Sequence, residues 1–368
     1  MGDIGQMDFI SDLPQSIIEN ILTRLPIRDA VRTSILSSRW RYRWATISHL
    51  VFDENCVALS NERSLVKNSL VKFITRALFL HHGPIHKFQL STTQLQCCPD
   101  IDQWILFLSR NDIRELVLEL GEGEWFRVPS CLFYCRKLTR LELFRCEFDP
   151  PLAFKGFSCL KSLNFHRVLF APEAIESLIS SCPLLENLSL SYFDSLDLNI
   201  CAPNLKYLCL EGEVKDICLE NTPLLVSMSV AVYMTDDIAE HFEQSSSCNF
   251  IKFLGGVPLL EKLVGHIYFT KGPSNSVTAI EAYDSDFWEM KCPSDCSFKQ
   301  LKLVKMTDIS GVPHEMELIK FLLKNSPVLE IMSINPCAVV ADRKLTMLIE
   351  LLRFQRASAQ AEIVFVEE

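Results

Sequence analysis

Cys292 and Cys296 stand close together in "CPSDC", and His81, His82 and His86 crowd into "HHGPIH". Thiolates and imidazoles at short spacings are what a bound metal ion requires. Neither group is complete. No C-x-x-C or H-x-x-x-H follows the cysteine pair, and adjacent histidines in a Gly-Pro turn are expected to be solvated. "GEGEW" (121–125) has no following Gly-Lys-Ser/Thr, so it reads as a turn and not a phosphate loop. Neither G-x-S-x-G nor H-E-x-x-H occurs. The sequence therefore predicts no catalytic residue, no metal and no cofactor. What chemistry it holds is the chemistry of docking.

The residues for docking are concentrated in "SSRWRYRW", residues 37–44, in a chain of formal net charge −10. Overall acidity argues against a general nucleic-acid binder, whose footprint is a basic face. Residues 8–50 supply the elements that must position the cluster. Asp12 can cap a helix with Pro14 in its first turn. Ile17, Ile18, Ile21, Leu22 and Leu25 then form an apolar stripe, and Pro26 ends the helix. Asp29 can cap a second short helix. Ser37 or Ser38 can cap a third, with Trp40, Trp44 and Ile47 on one face. Such spacing suits indoles packed inward, with the stems of Arg39, Arg41 and Arg43 along their edges. Residues 1–20 carry four acids and no base, whereas 21–50 carry six arginines and one aspartate. That basic half suits an acidic partner. Three helices in so few residues rarely hold together without a neighbour.

Of the 368 residues, 48% are hydrophobic, enough for a large core and two or three domains. The 15 cysteines are an odd number spread along a long chain. Many sit among apolar residues, as in "YLCLEG" and "DICLEN", and are expected to be reduced, buried thiols in the cytosol or nucleus. "MGDIGQMDFISD" lacks the pattern of a signal peptide, and Gln6 breaks the myristoylation pattern. No long apolar run predicts a membrane span. "NLS" (187–189) fits a glycosylation pattern but lies inside an apolar strand pattern.

The middle of the chain repeats itself. "IRELVLEL" starts at Ile113, "LTRLELFRC" at Leu138, "LKSLNFHRV" at Leu160, "LENLSLSYF" at Leu185, "LKYLCLEGE" at Leu205 and "LVSMSVAVY" at Leu225. Each has apolar residues at i, i+3 and i+5. Weaker copies start at Ile85, Leu260, Phe298 and Leu329. This is the core and spacing of leucine-rich repeats. The last two apolar positions differ by two, the period of a strand facing one side, so polar residues such as Glu142 and Ser189 face the opposite, concave side. "PEAIESLISSCPLLENLSL" adds a helix before its strand, from Pro172 to Cys182-Pro183. No single repeat buries its own apolar face; stacking does. The fold class is therefore α/β: three N-terminal helices, then a solenoid of parallel strands with helices outside. Insertions are expected within 231–297, with an exposed loop at 269–279.

Residues 8–53 also resemble the plant F-box. "ISDLP", "ILTRLPIRDAVRTSILSSRWR", Trp44 and "LVFD" carry the match. The resemblance implies docking on the Skp-type adaptor of an SCF (Skp–cullin–F-box) ubiquitin ligase, and through it on cullin. The positions it implies are Leu13, Pro14, Ile17, Ile18, Ile21, Leu22, Leu25, Pro26, Val31, Ser34, Leu36, Ser37, Trp40 and Trp44. "SFKQLKLVKMTDISGVPHEMELIKFLLKNSPVLEIMSI" (297–334) resembles the FBD domain of plant F-box/FBD/leucine-rich-repeat proteins. The expected organisation is an F-box at 8–53, a repeat solenoid at 54–290 and an FBD-like cap at 291–368. An unidentified target protein would meet exposed residues of the strands and the loops after them. Candidates are Glu142, Arg145, His166, Arg167, Tyr192 and Glu211. Ubiquitin transfer asks only proximity of such a subunit, so the expected role is non-catalytic, with no nucleic acid or membrane involved. The alternative is a scaffold whose N-terminal helices merely cap the solenoid.

Overall fold

A computed structural model describes residues 13–56, 63–93, 95, 98–121, 123, 125–234, 257–269, 297–311, 313–337 and 341–366. Asp12, the Cys292–Cys296 pair and most of the expected insertion and 269–279 loop lie outside the described residues. The chain forms two compact units, Met1–Phe170 and Ala171–Glu368.

The first unit holds helices α1 (Gln15–Thr23), α2 (Ile27–Arg32), α3 (Arg63–Leu80) and α4 (Asp100–Ser109). Its strands are β1 (His49–Phe52), β2 (Lys87–Thr92), β3 (Glu115–Leu120), β4 (Phe126–Arg127), β5 (Arg140–Phe144), β6 (Cys146–Glu147) and β7 (Ser162–His166). β1, β2, β3, β5 and β7 pair in that order, all parallel, and β4 pairs with β6. The second unit holds α5 (Pro172–Ser180), β8 (Asn187–Cys201), β9 (Tyr207–Glu220), β10 (Ser227–Met234), β11 (Lys262–Phe269), β12 (Leu303–Ile309), α6 (Pro313–Asn325), β13 (Ile331–Pro336), α7 (Ala341–Arg353) and β14 (Glu362–Phe365). Here β8 to β14 pair parallel in chain order. Strand order that follows chain order is the mark of a solenoid, in which each repeat meets its neighbours.

The repeat pattern sets the register. Strands start two residues after the first apolar residue of the motif, and the three apolar residues point inward: Leu138, Leu141 and Leu143 are buried, as are Leu205, Leu208 and Leu210. The repeat placed at Phe298 starts instead at Leu301, because Leu301, Val304 and Met306 are the buried set and β12 begins at Leu303. The carbonyl at the second position of one repeat accepts two N–H groups from the next. Arg114 O takes Thr139 N at 2.7 Å and Arg140 N at 3.0 Å, and Lys302 O takes Glu330 N at 2.9 Å and Ile331 N at 3.1 Å. The eighth position turns left-handed in five repeats: Arg145 (φ 54°), Arg167 (51°), Tyr192 (57°), Gly212 (148°) and Asp308 (58°). At Gly212 a Cβ would lie 2.5 Å from the Phe193 carbonyl oxygen, so glycine is required there.

The same register begins earlier than expected. Ile47, Leu50 and Phe52 are buried, β1 pairs with β2, and Ser48 O accepts His86 N (2.8 Å) and Lys87 N (3.0 Å). Phe52 packs on Phe73 and Phe88, with centroids 6.0 and 5.5 Å apart. The boundary expected at 53 thus falls just after the first strand of the sheet. Two further expectations are corrected. His81 is not solvated: it is buried, and its Nε2–H donates to Ile47 O at 2.8 Å, while His82 N donates to Ala45 O at 2.7 Å. Among the cysteines, Cys56, Cys98, Cys135, Cys146 and Cys182 are buried, but Cys209 is half-buried and Cys218 exposed. Strand alternation puts Cys209 between the inward Leu208 and Leu210, on the face turned away from the core. Burial pushes the Cys56 thiol up to about 11 and that of Cys135 to about 12, which keeps both protonated and inert.

Candidate functional site

The N-terminal module is built around two indoles. In α1 the helical period sends Ile18 and Leu22 inward, and α2 does the same with Ile27 and Ala30. Both helices pack on the turn Arg43–Thr46, which buries Trp44. Trp40 and Trp44 are 4% and 3% exposed. No third α-helix carries them. Residues 37–47 form successive tight turns, with Trp40 N on Ser37 O (3.1 Å), Arg43 N on Trp40 O (3.2 Å) and Ala45 N on Tyr42 O (3.0 Å). The chain must be extended by Ile47 (φ −67°, ψ 133°) to enter β1, which leaves no length for regular helix. Asp29 does not cap α2 either. Pro26 holds the cap position, and Asp29 sits in the first turn, 3.7 Å from Arg32. Pro14 likewise occupies the cap position of α1, its carbonyl taking Ile17 N and Ile18 N at 3.0 and 3.2 Å.

What stays outside is an apolar stripe. Ile17, Ile21 and Leu25 recur every four residues and are 45%, 39% and 37% exposed; Ile35 and Leu36 beyond α2 are 84% and 64% exposed. Pro14 and Pro26 are exposed at the two ends of α1, and Leu13, Val31, Ser34 and Ser37 are half-buried. The fourteen adaptor positions therefore divide. Ile18, Leu22, Trp40 and Trp44 are the module's own core, and the others lie at or near its surface. Ile35 and Tyr42 are exposed as well and are not among the fourteen; their signal in the sequence is a large apolar residue in a short segment with no second turn of helix to bury it. Arg24, Arg32, Arg39 and Arg41 are exposed around this surface.

Of the six target candidates, His166 ends β7, Arg145 and Arg167 follow β5 and β7 directly, and Glu142, Tyr192 and Glu211 lie within β5, β8 and β9. In the first unit Glu142 is half-buried and bound to Arg140, with Arg140 Nη2 2.5 Å from Glu142 Oε1. Arg145 N donates to His166 O (2.9 Å), and the His166 ring lies 5.3 Å from that of Phe144. Arg167 is exposed at the left-handed position. In the second unit Tyr192 is exposed at the same position, and Glu211 is half-buried in β9. Among the described residues no His, Cys, Asp and Glu group could hold a metal ion, and no helix is long and apolar enough to cross a membrane.

A three-element module with a closed core and an open apolar stripe, followed by stacked strand repeats, defines an F-box joined to a leucine-rich-repeat solenoid. Comparison with known proteins agrees. The F-box domain model matches residues 10–50, the model of the LRR repeats of FBD-associated F-box protein At5g56370 matches 101–263, and the FBD model matches 289–334. None of these is an enzyme domain. F-box/FBD/LRR-repeat protein At1g13570 of Arabidopsis thaliana is 54% identical over 98% of this chain and 99% of its own. FBD-associated F-box protein At5g56370, from the same plant, is 28% identical over 98% of this chain and 100% of its own. The chain belongs to the F-box/FBD/LRR-repeat family.

Proposed function

We propose that this chain is the substrate-recognition subunit of an SCF ubiquitin ligase, acting in the cytosol or nucleus. Its F-box docks on a Skp-type adaptor and thereby on cullin, and its strand face recruits a target protein. The observation that supports this is the stripe of Ile17, Ile21 and Leu25, with Ile35 and Leu36 also exposed, on a module that encloses Ile18, Leu22, Ile27, Trp40 and Trp44. A helix face with anchors at i, i+4 and i+8 is a common docking form. Catalysis on another subunit needs only that the receptor hold its target nearby.

The test is capture of a purified plant Skp-type adaptor by the full-length protein. Ile17→Gln with Ile21→Gln should weaken capture by a kcal/mol or more per anchor, with the fold intact by circular dichroism. An intact, folded protein that captures no adaptor would defeat the proposal. The scaffold alternative draws on one observation, that β1 joins the F-box to the sheet. It expects the double substitution to change nothing.

A further inference from the structure

In a stack of parallel strands, residues at one register position lie about 4.8 Å apart. Like charges stacked this way repel, and opposite charges pair. In the Ala171–Glu368 unit the second position of successive repeats reads Glu186, Lys206, Val226, Glu261, Lys302 and Glu330. Lys206 Nζ lies 2.9 Å from Glu186 and Lys302 Nζ 3.4 Å from Glu261. Both lysines of that column are thus paired with a glutamate of the preceding charged position, and the three glutamates against two lysines leave it slightly acidic.

The same position in the Met1–Phe170 unit reads Ser48, His86, Arg114, Thr139 and Lys161, without a carboxylate. The adjoining position adds Lys87 and Arg140, and the turn leading into β5 adds Arg136 and Lys137. The carboxylates on this edge are Asp112, Glu115 and Glu142. Asp112 is held by Lys137 at 2.8 Å and Glu142 by Arg140. Among the described residues, Lys87, Arg114 and Arg136 have no carboxylate within ion-pair distance. Arg114 and Arg136 are exposed. The crowding of cations is felt at His86, held below its ordinary value first by burial and then by Arg114 and His49.

We propose that this basic ridge, across the strand starts of β1 to β7, docks an acidic polypeptide segment of the recruited protein. The ridge spans about 19 Å, the length of about six extended residues. Two features favour a peptide over nucleic acid. Asp112 and Glu115 interrupt the cations, which an evenly charged phosphate backbone tolerates poorly and a peptide with spaced carboxylates accommodates. The remainder of the chain is acidic enough to repel a long polyanion.

The inference rests on the receptor role, so adaptor capture is measured beside it. The probe is a fluorescein-labelled peptide of about twelve residues alternating Glu and Ser, titrated into the full-length protein. The same peptide with Gln for Glu, and a single-stranded DNA of equal charge, are the comparisons. The Glu peptide should bind more tightly than the other two and weaken with salt. Arg114→Gln with Arg136→Gln should weaken it about five-fold or more and leave adaptor capture unchanged. Lys206→Gln with Lys302→Gln should leave both unchanged. If the arginine pair alters the fold by circular dichroism, Lys87→Gln alone should still weaken the peptide. Equal binding of the Gln peptide, tighter binding of the DNA, or indifference to Arg114, Arg136 and Lys87 overturns the proposal. Loss of adaptor capture by the unmodified protein defeats the receptor role instead, whatever the peptide does.

Discussion

At the scale of single residues, the F-box separates side chains that hold it together from side chains it offers to a partner. Trp40 and Ile17 both belong to the recognised pattern, yet one is sealed and the other open. Trp40→Ala should cost about 3–5 kcal/mol of stability, read as a drop in urea midpoint. Its effect on adaptor capture should follow from unfolding. Ile17→Gln should move the midpoint by about 0.5 kcal/mol or less and act on capture alone. The sequence put Ile17, Ile18, Ile21, Leu22 and Leu25 on one stripe and could not divide it, because Ile17, Ile21 and Leu25 follow the helical period as well as Ile18 and Leu22 do. Burial of the second decides it. His81 gives a further outcome. Burial holds its proton affinity below the ordinary value, so the unfolded chain binds the proton more tightly. The neutral ring's stability is complete above about pH 6.5 and is lost as pH falls through and below that value. Urea midpoints at pH 7.5 and 5.5 should show the loss. His81→Gln, whose amide can still donate to Ile47 O, should flatten it.

At the scale of elements, the strands were legible and the turns were not. L-x-x-L-x-L fixes both the start of each strand and its inward face, since a slip of one residue would turn every leucine to water. This is why β5, β7, β8, β9 and β10 fall where their motifs put them. At Phe298 the pattern was ambiguous because Phe298, Leu301 and Leu303 fit it as well as Leu301, Val304 and Met306. Burial and pairing with β11 choose the second. The left-handed eighth position has no apolar signature, so Arg167 and Tyr192 could be chosen as exposed but not as constrained, and Arg145, chosen with them, is half-buried. These constraints can be measured. Gly212→Ala should cost about 2 kcal/mol or more, from backbone strain and from the Phe193 carbonyl. Arg167→Gly, at the equivalent position, should be neutral or stabilising by up to about 1 kcal/mol. If thermal melts rank the two the other way, the left-handed position is not a shared constraint.

At the scale of the whole molecule, docking and folding meet in β1. The F-box resemblance claims residues up to Asp53, but the sheet claims His49–Phe52, and both claims hold for the same side chains. Ile47 and Ala45 are tied to the end of α3 through His81 and His82, and Glu54 is tied to Thr93. Removal of the F-box is therefore not a neutral operation. A chain lacking residues 1–56 loses β1, uncovers Phe73 and Phe88, and leaves β2 as an unpaired edge. It should be less stable and more prone to aggregate than the full chain, whether or not any ligase exists. Deletion of residues 1–26 keeps Trp40, Trp44 and β1 but strips α1 from them, so partial loss of stability is expected there too. Only substitutions on the open stripe separate the two roles. Ile17→Gln with Ile21→Gln should weaken adaptor capture with little change in melting temperature, and deletion of 1–56 should lower both. Were the double substitution to melt the sheet as the deletion does, the stripe would be part of the fold and not a surface for another protein.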